Sequence, residues 1–199
     1  MNVPTENVLV HDCITRAGHG LFSIGSETAG CIRNLRAMRL KSYGTKYGLR
    51  FKSAKNRGGI VENISIQDVY MEGAKHPIRF ELNWFPAFSY AAIPADYKEK
   101  IPENWLKALE PVPEEVGLPT FRNISICDVT IRDCETALYL EGLEQQHVSN
   151  VTIQNVDAQA QTAGVIRYMD NLHLKNVHIQ ASDGSCQPEI MDSENLLWQ

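Results

Sequence analysis

The chain has 199 residues, 43% of them hydrophobic, which is enough for one domain with a substantial core. Its formal net charge at pH 7 is −5, and lysine and arginine are scattered among the acids. This argues against a nucleic-acid or membrane-surface partner recognised by a basic stripe. The five cysteines show neither Cys-x-x-Cys nor Cys/His metal spacing, so we expect no disulfide framework, no metal and no cofactor.

A seven-residue pattern recurs along the chain: Asn, apolar, any, apolar, any, Asp or Asn, then Val or Cys. Its copies, with a degenerate one at Asn34, begin at Asn7, Asn34, Asn63, Asn123, Asn150 and Asn171. The steps between them are 27, 29, 60, 27 and 21 residues. The long step contains an insertion.

Alternating apolar residues inside each copy predict a strand with one buried face. A repeat of this length without helical or leucine-rich periodicity predicts a parallel β-helix, an all-β solenoid formed by residues 1–199 as one domain. The recurring Asn and Asp suit the bends between strands, and stacked asparagines could hydrogen-bond along the solenoid.

The stretch from Gly18 to Lys52 contains the candidate site. His19 lies between two glycines, and Arg50 and Lys52 are two residues apart, which places both on one face of a strand. His19 precedes Arg50 by 31 residues, close to one coil, so we expect the imidazole and the two cations to form one patch on an outer wall. A simple turn and a solvated strand face remain the structural alternatives.

The repeat is interrupted over about residues 84–120. This insertion is rich in proline and contains 6 of the chain's 16 aromatic residues within 22 positions: Trp84, Phe85, Phe88, Tyr90, Tyr97 and Trp105. Glu103 to Glu110 is predicted to form a short helix. The rings could stack on a ligand or attach the loop to the solenoid wall.

Over the stretch from Gly18 to Lys52 the sequence resembles glycoside hydrolase family 28, the pectin-cleaving polygalacturonase type. Two of the family's motifs are present in order. Gly18-His19-Gly20 with Ser23-Ile24-Gly25-Ser26 matches its Gly-His-Gly followed by Ser-Ile-Gly-Ser, and Arg50-Phe51-Lys52 matches its Arg-Ile-Lys with Phe in the middle position. The resemblance implies a right-handed parallel β-helix, a pectin or galacturonan substrate and an inverting hydrolysis.

The resemblance also implies roles for individual residues. His19 would assist the chemistry at the cleavage point, and Arg50 and Lys52 would bind the uronate carboxylate. Glu27 would contact the sugar, although an exposed turn carboxylate explains it equally well. Trp84 falls near the position where the family places an aromatic ring beside the substrate.

The family's catalytic aspartates precede its Gly-His-Gly motif, and the only aspartate before His19 here is Asp12. Asp12 occupies the bend position of the repeat, so we interpret it as structural. We therefore expect a C-terminal portion of such a glycosidase that lacks the upstream aspartates and is inactive alone. The alternative is a non-catalytic β-helix that binds acidic glycans, or a structural remnant.

Two further expectations concern the first residues. They carry no signal-peptide pattern, while the resemblance implies a secreted or periplasmic protein, so the localisation stays undetermined. Val8 belongs to a repeat almost at once, without a preceding cap. We expect the open first coil to promote self-association through its unpaired strand edge.

Overall fold

The computed structural model describes residues 3–86 and 91–199, and its chain winds into a right-handed parallel β-helix. This confirms the predicted fold class. The strands are β1 Thr5–Arg16, β2 Gly20–Ile24, β3 Ile32–Tyr43, β4 Tyr47–Lys52, β5 Ile60–Glu72, β6 His76–Glu81, β7 Thr120–Glu141, β8 Val148–Arg167, β9 Met169–Ala181, β10 Glu189–Met191 and β11 Leu197–Trp198. Two short helices, α1 Glu103–Leu109 and α2 Glu114–Gly117, lie between β6 and β7.

The strands form two stacks of parallel neighbours. One stack runs β1-β3-β5 and continues through the first part of β7, and the other runs β2-β4-β6 and continues through the last part of β7. The long strands β7 and β8 bend and take part in both. In the first stack Val8 is paired with Leu35, Leu35 with Ile64 and Ile64 with Ile124, which reproduces the predicted steps of 27, 29 and 60 residues.

The core follows from the alternation inside each repeat. In β5, Ile64 and Ile66 are fully buried or nearly so while Ser65 between them is partly exposed. Register places each buried residue over its equivalents in the adjacent coils, so that the interior consists of columns of aliphatic side chains. In the second stack Leu49, Phe51, Ile78 and Phe80 point inward. Arg50, between Leu49 and Phe51, therefore lies on the outer side.

The repeated asparagines form the predicted ladder. The amide nitrogen of each donates to the amide oxygen of its equivalent in the preceding coil, from Asn34 to Asn7 and onward to Asn195 to Asn171. Every member of the ladder has a positive φ, which asparagine tolerates better than other non-glycine residues. Asp12 has a φ of 55° in the second bend, and its carboxylate accepts from Arg39 at 2.6 and 2.7 Å, in agreement with its structural interpretation.

The structure of the insertion agrees in part with the prediction. The predicted helix over Glu103 to Glu110 is observed as α1, with Trp105 and Tyr97 rings 5.1 Å apart. Phe88 and Tyr90 lie outside the described residues. At the start of the solenoid, β1 is paired with β3 on one side only among the described strands, and Leu9 on it is 57% exposed. This is consistent with an open strand edge, and the self-association that we expect from it stays a prediction.

Candidate functional site

The structure brings His19 and Arg50 together. The Arg50 Nη1 atom lies 3.1 Å from the His19 Nε2 atom. The expectation was that His19 and Arg50 lie close because they are one coil apart. The local coil has 27 residues, however, so the register partner of Arg50 is Ser23 and not His19. His19 lies just before β2, and the long arginine side chain spans the remaining distance back to it.

Arg50 itself is enclosed. Its side chain is only 2% exposed, its guanidinium carbon lies 3.8 Å from the centre of the Tyr47 ring, and its Nη2 atom donates to Glu81 Oε2 at 3.1 Å. Arg50 thus lies on the outer wall, as expected, but beneath other side chains and not open to solvent. Its predicted direct contact with a ligand stays a prediction, and this burial does not favour it.

Glu81 connects two arginines of adjacent coils. Arg79, the register partner of Arg50, donates from Nε and Nη2 to the two carboxylate oxygens at 3.0 and 3.1 Å. Burial alone would raise the pKa of Glu81, but the hydrogen bonds from Arg79 and Arg50 outweigh it and hold the pKa below its usual value. Glu81 is therefore ionised and fully engaged at neutral pH.

Lys52 is less enclosed than Arg50. Its ammonium lies 4.0 Å from the centre of the Trp84 ring, a cation–π distance, and its side chain is half-buried. Trp84 is attached to the end of β4, since its backbone N–H donates to the Ser53 carbonyl at 2.8 Å. Burial, followed by repulsion from Arg50, lowers the pKa of Lys52.

His19 is an exposed imidazole in a cationic environment. Burial has the largest effect on its pKa, followed by the charges of Arg50, Lys46 and Lys52, and all four lower it. An ordinary histidine pKa lies near 6.5, and a pKa lowered from that value favours the neutral form of His19 at neutral pH. Its ring also packs edge-on against Tyr47, with centroids 5.1 Å apart.

The Ser-Ile-Gly-Ser motif shapes the backbone next to Lys52. Ile24 and Ser26 are both 3% exposed, and Gly25 has a φ of +94°. A Cβ atom on Gly25 would lie 1.8 Å from the Lys52 carbonyl oxygen, so only glycine fits there without displacement. Glu27 follows as a 75% exposed carboxylate, 3.7 Å from Arg57, and its charge raises the pKa of Lys52 in opposition to burial.

Sequence analysis missed four members of the cluster: Lys46, Tyr47, Arg79 and Glu81. The last two could have been found. A signal was present, because the 29-residue step that relates Asn34 to Asn63 also relates Arg50-Phe51-Lys52 to Arg79-Phe80-Glu81. The two segments pair residue by residue in the structure. The replacement of lysine by glutamate at the third position supplies the carboxylate that holds both arginines.

In residues 3–86 and 91–199, no three His, Cys, Asp or Glu side chains are grouped so that they could hold a metal ion. Over the same residues, no helix has the length and apolarity that a membrane crossing requires. All five cysteines are free, and only Cys134 is buried. Most of the cysteines fall in strand-like runs of the sequence, which predicts buried thiols. That prediction is wrong, because Cys13 and Cys186 are exposed and the other two are half-buried.

The fold and the cluster together define a parallel β-helix with a cationic, aromatic-flanked patch on its outer wall. Comparison with known proteins shows what this chain is similar to. Residues 1–91 match the family described as "Glycosyl hydrolases family 28". An endo-polygalacturonase of Pectobacterium parmentieri is 29% identical over 152 residues, which are 76% of this chain and 31% of that protein.

Two further similarities agree. A polygalacturonase of Ralstonia nicotianae is 43% identical over 81 residues, 39% of this chain and 15% of the relative. The structure of the Yersinia enterocolitica family 28 exopolygalacturonase superimposes with a TM-score of 0.72 over 97% of this chain and 31% of that one. At 17% identity this neighbour shows the fold alone.

These findings confirm the resemblance inferred from the motifs: residues 1–91 match the model of glycoside hydrolase family 28, and the chain is polygalacturonase-like in sequence. It spans less than a third of the length of each of these relatives.

Proposed function

We propose that this chain supplies the uronate-binding side of a polygalacturonase-type cleft and binds galacturonate units of pectin. The observation that carries the proposal is the Lys52 ammonium against the Trp84 ring, in a cluster to which Arg50 and Lys46 add positive charge. This local excess of cations occurs on a chain of net charge −5. Such a patch attracts a polysaccharide that carries negative charge.

The proposal gives a role to five side chains of the patch. Lys52 provides the point charge for the uronate carboxylate, and the Trp84 face packs against the sugar ring. His19 and Glu27 offer polar contacts to ring or hydroxyl oxygens. Arg50 contributes its charge from beneath, where the low local dielectric strengthens its field at the surface.

For the reaction, the relevant class is the inverting hydrolysis of the polygalacturonase type. That mechanism needs one carboxylic acid to protonate the leaving oxygen and one carboxylate to activate water, about 6.5–9.5 Å apart. Glu81, the carboxylate in contact with Arg50, has a lowered pKa and bonds to two arginines, so it is unsuited to the role of acid. We therefore infer that this chain alone binds galacturonan without cleaving it, as a glycan-binding β-helix would.

The binding half of the proposal is tested by titration with de-esterified oligogalacturonate. Lys52→Ala is expected to lose about 1.5–3 kcal/mol of binding, about 10- to 100-fold in affinity, because it removes a charge-assisted contact. Lys41→Ala is the matched control, since Lys41 is exposed on β3 in the other stack. Equal affinities of the two variants, or no binding by the parent chain, would refute the proposal.

The catalytic half is tested by release of reducing ends from polygalacturonate. We expect no turnover by the 199-residue chain under conditions in which it binds the polymer. Turnover that persists in the purified chain would show that the assignment of the carboxylates is wrong.

A further inference from the structure

Arg50 is held from three sides. Glu81 accepts from Nη2 at 3.1 Å, the Tyr47 ring lies 3.8 Å beneath the guanidinium, and the His19 imidazole lies 3.1 Å from Nη1. With 2% of the side chain exposed, the guanidinium cannot turn outward without leaving the carboxylate and the ring. Its orientation toward His19 is therefore fixed by Glu81 and Tyr47.

The chemistry of this contact defines the state of the imidazole. A guanidinium in a protein is always protonated, and all its nitrogens are donors. The contact between Nη1 and the His19 Nε2 atom is a hydrogen bond only if Nε2 is an unprotonated acceptor. A neutral imidazole with an acceptor at Nε2 carries its proton on Nδ1, so the surrounding structure selects the tautomer.

On the basis of the function proposed above, we propose that Arg50 is a positioning residue, held by Glu81 and Tyr47, which fixes His19 as the neutral Nδ1–H tautomer. His19 then offers a hydrogen-bond donor to an oxygen atom of the bound uronide. It is neither a general base through Nε2 nor a cation. Contact with the uronate carboxylate belongs to Lys52, which is half-buried and lies beside Trp84 at the surface.

The charges around His19 agree with a neutral ring. Arg50, Lys46 and Lys52 all repel a proton on it, and no carboxylate is among the groups that act on its pKa. Among the described residues His19 Nδ1 has no hydrogen-bond partner, and the side chain is exposed, so the donor is available to a ligand.

Arg79 provides the matched control. It pairs with the same Glu81, stacks 4.0 Å over the Tyr139 ring as Arg50 stacks on Tyr47, and is 14% exposed. Its contacts do not include His19. Arg79→Gln and Arg50→Gln thus disturb the same carboxylate, but only the second removes the donor from the imidazole.

The test is the long-range ¹H–¹⁵N correlation spectrum of histidine side chains at neutral pH without glycan. We expect the parent chain and Arg79→Gln to show His19 with the proton on Nδ1, and Arg50→Gln to show a mixture of tautomers. A proton on Nε2 in the parent chain overturns the inference, as does an Arg50→Gln spectrum identical to the parent's. The parent spectrum can overturn the inference even if Arg50→Gln fails to fold.

The two proposals fail separately. If the parent shows the Nδ1–H tautomer and Arg50→Gln loses it, but the parent does not bind oligogalacturonate, the proposed function fails and the positioning role of Arg50 stands. If oligogalacturonate binds but His19 carries its proton on Nε2, the positioning role of Arg50 fails and the proposed function stands.

Discussion

Replacement of Glu81 by glutamine tests whether its carboxylate holds the two arginines in place. Glu81 is 20% exposed, and its partners Arg50 and Arg79 are 2% and 14% exposed. Glutamine keeps the shape but leaves two buried guanidinium groups without a counter-charge. Breaking a buried ion pair in this way costs about 3–5 kcal/mol, so we expect a loss of this size in the free energy of unfolding.

Glu141 is the matched control because it is the register partner of Glu81 in the next coil. It is similarly buried, at 18% exposure, but its arginine partner Arg167 is 40% exposed and can be hydrated, and Tyr139 also donates to it. We expect Glu141→Gln to cost about 1–2 kcal/mol.

The assay is urea unfolding followed by tryptophan fluorescence and circular dichroism. A thermal scan provides a second readout, with about 2–4 °C of melting temperature per kcal/mol for a chain of this size. Equal losses in Glu81→Gln and Glu141→Gln, or a loss below about 1 kcal/mol in Glu81→Gln, would refute the reasoning that partner burial determines the cost.

Three further predictions concern acid, the glycine motif and the edge strand. The pKa of Glu81 is lowered on folding, so the stabilisation by its carboxylate is complete above about pH 4.5 and is lost as the pH falls through the folded-state pKa. The difference in unfolding free energy between the parent and Glu81→Gln should therefore disappear in acid. A difference that does not change with pH would contradict this. Gly18→Ala, at φ +99° in open space, should lower the free energy of unfolding in urea by about 1–2 kcal/mol. Gly25→Ala should lower it more, because its Cβ also meets a backbone oxygen. Equal losses would contradict the close-packing argument. Light scattering should show concentration-dependent association that Leu9→Lys on β1 reduces, and a parent chain that stays monomeric at high concentration would contradict the open-edge expectation.

The fold could be predicted because each coil repeats the same local chemistry. Asparagine at the bend takes a positive φ, and the apolar positions that follow it alternate, so that the strand, its buried face and the step to the next coil are all encoded within a few residues. The ladder from Asn7 to Asn171 needed no information beyond this period, whereas its last member, Asn195, lies outside the repeat that was read from the sequence.

Only part of the site could be predicted from the sequence. The motif residues His19, Arg50 and Lys52 could be named, and alternation placed Arg50 on the outer wall. Its burial could not be predicted, because Tyr47 and Glu81 enclose it and the position of Glu81 depends on the register between coils. Strand parity distinguishes inside from outside but does not reveal which outer side chains cover one another.

The central claim is that an acidic glycan binds at the outer wall around Lys52. The most direct measurement is an NMR titration of the labelled chain with de-esterified oligogalacturonate, with the fully methyl-esterified oligomer as the uncharged control. We predict shift changes at Lys52, His19 and Trp84 that saturate with the acid form and are much weaker with the ester. Shifts centred on the β1-β3-β5 stack, or equal effects of the two oligomers, would contradict it.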